Sequence, residues 1–289
     1  MSVLKGYLNQ FGYHADVCYW NLIMREMIHS IAEQELGSET NEFESLMPFL
    51  TILLSASEEK EKRNRLYAYY QALHPQYFSI DKQEYYQKSL NRYAEQILLS
   101  FNEKLTDLFS KKEYALIGVC TKLLQMVPAS IFAKISKTIA PNIPIAAGGI
   151  SNEIEAVAML HNFKEYDYAI WGEGENPLHQ LCRFLNDEIS IEEIPNVAYR
   201  NDAGEIITSK CNNRIFSNLS NTKPDYSDYF NYSKTYNTHG IKTMIPLESS
   251  RGCHWNKCKF CFLTAGYRNR AKDNQSIIKE ILVKYMTKI

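Results

Sequence analysis

Apolar residues recur at helical spacing from Val3 to Gln10 and stop at "FGYH", which predicts a short amphipathic helix. Residues 15–20, "ADVCYW", then read as a strand. From Asn21 to about Lys112 the texture is polar and helical, with Tyr and Leu recurring at intervals of three and four, as packing faces do. "YAYYQALHPQYF" and "EYYQKSLNRYAEQILLSFNEKL" are its clearest pieces.

The rhythm changes at residue 113. "EYALIGVC" is a short apolar run, followed by a helical pattern from Pro128 to Ile139. "IPIAAGG" is a second run, followed by "NEIEAVAMLHNF", where Asn152 and Glu155 suit a helix N-terminus. "DYAIWGEGE" is a third, followed by "NPLHQLCRFLND", with Asn176 as cap and Pro177 at the first helical position. Three strand–helix repeats predict a parallel, doubly wound α/β sheet of flavodoxin type, carrying residues 21–112 as a helical insert. Residues 195–215 predict a hairpin turning at "NDAG". The polar stretch after it reads as a linker, 216–240, separating an α/β domain (1–215) from a last segment (241–289). In that segment "KTMIPLESS" reads as a strand and "NQSIIKEILVKYMTK" as a terminal amphipathic helix.

A ligand of such a sheet sits outside the carboxyl ends of its strands. Those ends carry Cys120 and Thr121, then Gly148 and Gly149, then Gly172, Glu173, Gly174 and Glu175. The glycines either admit a ligand against the backbone or simply let strands turn into helices. No G-x-G-x-x-G is present, which gives a dinucleotide little support.

Charge and composition exclude more than they assign. A net charge of −1 over 289 residues argues against a dedicated nucleic-acid partner. No apolar run is long enough to span a membrane, and the opening "MSVLKGYLNQ" lacks the features of a signal peptide. Seven cysteines cannot all pair internally, so a reduced, cytoplasmic protein with a local metal site is expected.

Three of the seven, Cys253, Cys258 and Cys261, fall in "RGCHWNKCKFC" with the spacing C-x4-C-x2-C. Structural zinc needs four closed ligands, and His254 is awkward as the fourth because it adjoins Cys253. Three thiolates on a cubane cluster would instead leave one iron open to an outside ligand.

"SSRGCHWNKCKFCFL" with "YRNRAKDNQSIIKEI" resembles the cluster loop and first helix of radical S-adenosylmethionine enzymes. The usual first gap there is three residues, and this chain has four. "IPIAAGGISNEIEA", "DYAIWGEGENPLHQL", "IPNVAYRN" and "KPDYSDYF" resemble, in order, the cobalamin-binding domain and linker of the B12-dependent members. Those that mature ribosomally made peptides are the nearest likeness. The resemblance covers residues 113–289, and more loosely 3–20.

The resemblance implies a [4Fe-4S] cluster on Cys253, Cys258 and Cys261, with the methionine moiety of S-adenosyl-L-methionine on the fourth iron and Phe260 near its adenine. It implies cobalamin at Cys120, Thr121, Gly148, Gly149, Gly172, Glu173, Gly174 and Glu175. No D-x-H-x-x-G occurs, so cobalt would have no histidine lower ligand. The implied reaction is cleavage of S-adenosylmethionine to a 5′-deoxyadenosyl radical, hydrogen abstraction, and methyl transfer to carbon on a peptide or small natural product. A reductant such as flavodoxin or ferredoxin is the implied partner. A radical barrel needs about six strand–helix units, of which this chain supplies the first, and the flavodoxin-type sheet lacks its opening strand. Both ends therefore read as cut. A fragment or degenerate reading frame is expected, inactive by itself, and no catalytic side chain is assigned. Two other readings stand beside it: a non-catalytic corrinoid- or metal-binding module, and an electron-transfer protein using the cluster only for redox.

Overall fold

The computed structural model describes residues 1–23, a few positions between 61 and 72, and 83–122, 125–209, 218–236, 245–255, 257–260 and 269–286. Most of the predicted helical insert, including "YAYYQALHPQYF" apart from Ala68 and Ala72, and Cys261 lie outside the described residues. The fold is mixed α/β. Strands β1 (Ile117–Cys120), β2 (Ile145–Ile150), β3 (Tyr168–Trp171), β4 (Val197–Arg200) and β5 (Ile206–Thr208) form one sheet in chain order. β1 and β2 are parallel, and β4 and β5 are antiparallel. Asp167 N–H donates to the Ile145 carbonyl and Gly172 N–H to that of Ile150, so β3 advances in the same direction as β2.

The chain divides into two compact units. One holds residues 20–148 and 161–168. Its helix α2 (Gln83–Lys111) packs on α3 (Met126–Ile139). Trp20 stacks on Phe101 at 4.9 Å and meets Phe132 edge-on at 5.4 Å. Phe101, Leu105, Ala133 and Ile145 are fully enclosed there. Apolar burial on this scale is the main term holding such a layer together. Asp167 secures the start of β2: its carboxylate accepts from Ile145 N–H at 2.7 Å and pairs with Lys137 at 2.8 Å.

The other unit holds residues 1–19, 149–160 and 169–289. Helix α4 (Glu153–Asn162) starts as its sequence predicts. Asn152 Oδ1 accepts from Glu155 N–H at 2.9 Å, and the Glu155 carboxylate reaches back to Ser151 N–H at 2.9 Å. Helix α5 (Glu175–Leu185) begins earlier than expected, with Gly174 rather than Asn176 at its cap position. Asn176 is inside the first turn and accepts from Gln180. In the β4–β5 hairpin, Asn201 closes the turn through Gly204 N–H at 2.8 Å and Glu205 N–H at 2.8 Å. The hairpin is tied to α4 by Thr208 on Glu153 at 2.7 Å and by Arg200 on the Leu160 carbonyl.

Helix α1 (Ser2–Asn9) packs on α5. The strand expected at 15–20 does not form. Val17 N–H is spent on the Asp228 carboxylate at 2.7 Å, the Tyr19 hydroxyl bonds Ser2 at 2.6 Å, and Trp20 already opens a helix. The polar stretch 218–236 is not extended. It contains a short 3-10 turn at Leu219–Asn221 and helix α6 (Ser227–Thr235). Lys5 of α1 pairs with Asp228 at 2.7 Å, and Asp225 N–H donates to the Ser2 carbonyl. The backbone of Gly6 passes so close to Lys223 that a Cβ would lie 1.7 Å from its carbonyl oxygen.

The strand expected over 242–250 shrinks to β6 (Ser250–Arg251), paired antiparallel with β7 (Arg270–Ala271). Pro246 has no N–H for a ladder, and its carbonyl is taken by the Tyr226 hydroxyl at 2.9 Å; residues 241–244 are outside the described part. The terminal helix is present as α7 (Asn274–Met286).

Candidate functional site

The cysteine-bearing loop, 252–269, leaves β6 and returns at β7. Its two ends are held by charge. At the exit, Arg270 grips Glu173 with two nitrogens, Nη1 to Oε2 at 2.9 Å and Nη2 to Oε1 at 2.5 Å. At the entry, Arg251 donates to Glu175 Oε1 at 2.5 Å and forks onto Glu248 at 2.7 and 2.9 Å. The side chains of Glu173 and Glu175 are 8% and 3% exposed, and those of Arg251 and Arg270 16% and 13%. Planar two-point pairing gives such contacts direction as well as strength. Burial by itself would lower the Arg251 pKa, but its hydrogen bonds to Glu248 and Glu175 outweigh that and raise it, so the guanidinium stays charged.

The exit is tied down further. Lys272 Nζ, almost wholly enclosed, donates to the Thr222 carbonyl and the Glu280 carboxylate, each at 2.8 Å. Asp273 caps α7 through Ser276 N–H at 2.8 Å and accepts from Ser220 at 2.6 Å. Hydrogen bonds from Ser220 and Ser276 hold its carboxyl well below the usual range.

Glu173 and Glu175 thus face arginines that flank the cysteine loop. Sequence reasoning placed these two carboxylates at a ligand and missed both arginines. Partners 97 and 76 residues away carry no local signal. A faint one existed in two carboxylates crowded into "WGEGE" at the end of an apolar strand, where charge must find a partner.

The glycines separate into two kinds. Gly149, next to last in β2, and Gly172, just after β3, have φ of +81° and +78°, a left-handed conformation that favours glycine. Gly148 and Gly174 have no such requirement: a Cβ at Gly148 would meet Val119 O at 3.8 Å, and one at Gly174 would meet Leu4 Cδ2 at 3.4 Å. In the unit holding β1, Thr121 adds both its N–H and its hydroxyl to the Gly148 carbonyl at 2.9 Å, extending the β1–β2 ladder past Cys120. The Cys120 thiol is free.

Within the loop, Cys253 and Cys258 are free and half-buried, His254 is exposed, and Phe260 is 93% exposed. Lys257 Nζ lies 5.3 Å from the centre of the Trp255 ring. Among the described residues no three His, Cys, Asp or Glu side chains group around a common metal position, and Cys261 is outside them. The donors that are described suit a soft iron–sulfur centre, being free thiols in a part-solvated loop with no carboxylate among them.

A further cluster lies on α5. His179 stacks on Phe11 at 3.8 Å and meets Tyr7 and Tyr13 edge-on at 6.2 and 5.8 Å. Burial first, and then the Arg183 charge, depress its pKa. Burial pushes the Cys182 thiol up to about 11.

No protein-family model matches this chain, and neither does any curated protein. Solved structures do. The radical S-adenosylmethionine methyltransferase TsrM of Kitasatospora setae, solved with tryptophan substrate and a S-adenosylmethionine analogue, is similar with a TM-score of 0.46 and 16% identity. That likeness covers 63% of this chain and 36% of TsrM. The cobalamin-dependent S-adenosylmethionine radical enzyme OxsB, solved with aqua-cobalamin, is similar with a TM-score of 0.46 and 20% identity, over 62% of this chain and 24% of OxsB. The chain therefore spans well under half the length of either. Among the described residues no helix is long and apolar enough to cross a membrane.

Proposed function

We propose that this chain is part of a cobalamin-dependent radical S-adenosylmethionine enzyme that modifies a peptide or small natural product, with C-methylation as its outcome. The observation that carries the reading is a C-x4-C-x2-C loop whose two ends are ion-paired to the glycine-rich turn after a parallel strand. Cys253, Cys258 and Cys261 would bind the [4Fe-4S] cluster, leaving one iron for S-adenosylmethionine. The exposed ring of Phe260 offers a flat face for adenine. Gly149, Gly172 and Gly174 are the corrinoid contacts proposed from the end of β2 and the turn after β3, while Glu173 and Glu175 hold the loop's arginines. Cys120, Thr121 and Gly148 are the corrinoid contacts proposed from the unit that holds β1. When bound, the cluster supplies the electron that cleaves S-adenosylmethionine and the corrinoid supplies the methyl group.

Anaerobic reconstitution with iron and sulfide tests the reading. About four irons per chain are expected in the wild type, with loss of that content in Cys253→Ala, Cys258→Ala and Cys261→Ala. Zinc retained in place of iron would favour the metal-binding module instead.

A further inference from the structure

We propose that Arg251 and Arg270 are positioning residues that clamp the cysteine loop at both ends, fixing it for metal capture. The proposal rests on the cluster reading for its metal, but the clamp is a property of the loop itself. Neither arginine is a ligand. Arg270 grips Glu173 of the turn after β3 at two points, and Arg251 donates to Glu175 at the start of α5 through one nitrogen and lies 3.8 Å from Glu173, at the two residues where the loop leaves and rejoins the β6–β7 ladder.

That ladder is only two residue pairs long, Ser250 with Ala271 and Arg251 with Arg270, and cannot alone fix a loop of this size. Among the described residues of the loop the side chains add little. Trp255 and Phe260 are exposed, and Cys253 and Cys258 are half-buried. The ion pairs are largely enclosed, and the two-point contact of Arg270 with Glu173 resists rotation as a lysine contact does not. Glu248 completes the arrangement by holding the other side of Arg251 at 2.7 Å. Anything that displaces the turn after β3 therefore moves the loop's ends with it. A ligand on that turn would then be linked to the spacing of the thiols.

The test is thiol labelling located by peptide mass, on the apo chain, in the wild type, Arg270→Glu, Glu173→Arg, Arg270→Lys and the charge swap Arg270→Glu/Glu173→Arg. Cys182 of α5 serves as the internal control, since burial holds its thiol up at about 11. Each single reversal should speed labelling of Cys253 and Cys258 by about tenfold, with Cys182 unchanged, because local opening is governed by the contacts that close it. Arg270→Lys should fall between, and the swap should return the rates towards wild type. Equal rates in all variants would overturn the proposal, as would a rise at Cys182 matching that at Cys258, or no recovery in the swap. Iron uptake by the same set should fall in the reversals and recover in the swap. A wild-type chain that takes up no iron, while the thiol pattern holds, sinks the cluster reading and leaves the clamp standing.

Discussion

Glu173 and Arg270 are 97 residues apart in the chain and meet through two hydrogen bonds, at 2.9 and 2.5 Å. The carboxylate belongs to the turn that ends β3, and the guanidinium to the strand that closes the cysteine loop. Because both side chains are largely buried, removing one strands the other's charge in a poorly solvated place. Arg270→Ala is expected to cost about 3 kcal/mol, and Glu173→Gln less, since an amide still accepts one of the two bonds. Urea denaturation of the single variants, compared by midpoint at constant slope, checks both values.

Gly6 and Gly174 make a second contrast. A methyl on Gly6 would overlap the Lys223 carbonyl oxygen at 1.7 Å, and a backbone atom cannot step aside as a side chain can. At Gly174 the nearest atom is a Leu4 methyl at 3.4 Å, with φ at −82°. Gly6→Ala should therefore destabilise by about 2 kcal/mol through overpacking, and Gly174→Ala by well under about 1 kcal/mol. Thermal melts of the two variants side by side decide it, and equal losses would contradict the packing of α1 on residues 223–225.

His179 gives a pH dependence whose sign is fixed by its cage. Burial, then Arg183, lowers its folded pKa, so the unfolded chain binds the proton more readily. The stability this provides is present above the unfolded value near 6.5 and is lost as pH falls through that value towards the lower folded one. Glu188, exposed and hydrogen-bonded by Arg183 and Asn186, opposes the shift only in part. His179→Phe keeps a ring against Phe11, Tyr7 and Tyr13 and should flatten the stability profile between about pH 5 and 7. Melting temperatures across that window check the change, and an unaltered profile in the variant would remove His179 as its source.

Much of the sheet was legible because its signals are local. The runs ending at Cys120, Gly149 and Trp171 are apolar, short and bounded by glycine or polar residues, and Asn152 with Glu155 spells a helix start in four positions. One expected strand is absent and another is cut back among its described residues, for a shared reason. Apolar alternation shows that a segment can be half-buried, but not that its N–H groups will find a ladder. Val17 N–H finds Asp228 instead of a ladder, and Pro246 has no N–H to give one, so among the described residues 245–250 only Ser250 enters a sheet. The C-x4-C-x2-C spacing and the glycines at the strand ends are local features that a sequence displays directly. The pairing of Glu173 and Glu175 with Arg270 and Arg251 is not such a feature, because which charge meets which is decided only once β3 and the β6–β7 ladder are in place.

The most direct test of the account is electron paramagnetic resonance of the anaerobically reconstituted, reduced chain, with and without S-adenosylmethionine, for the wild type and Cys258→Ala. The account predicts a cubane signal that shifts when S-adenosylmethionine is added and that disappears in Cys258→Ala. A wild-type signal indifferent to S-adenosylmethionine, or one surviving the loss of Cys258, would contradict it.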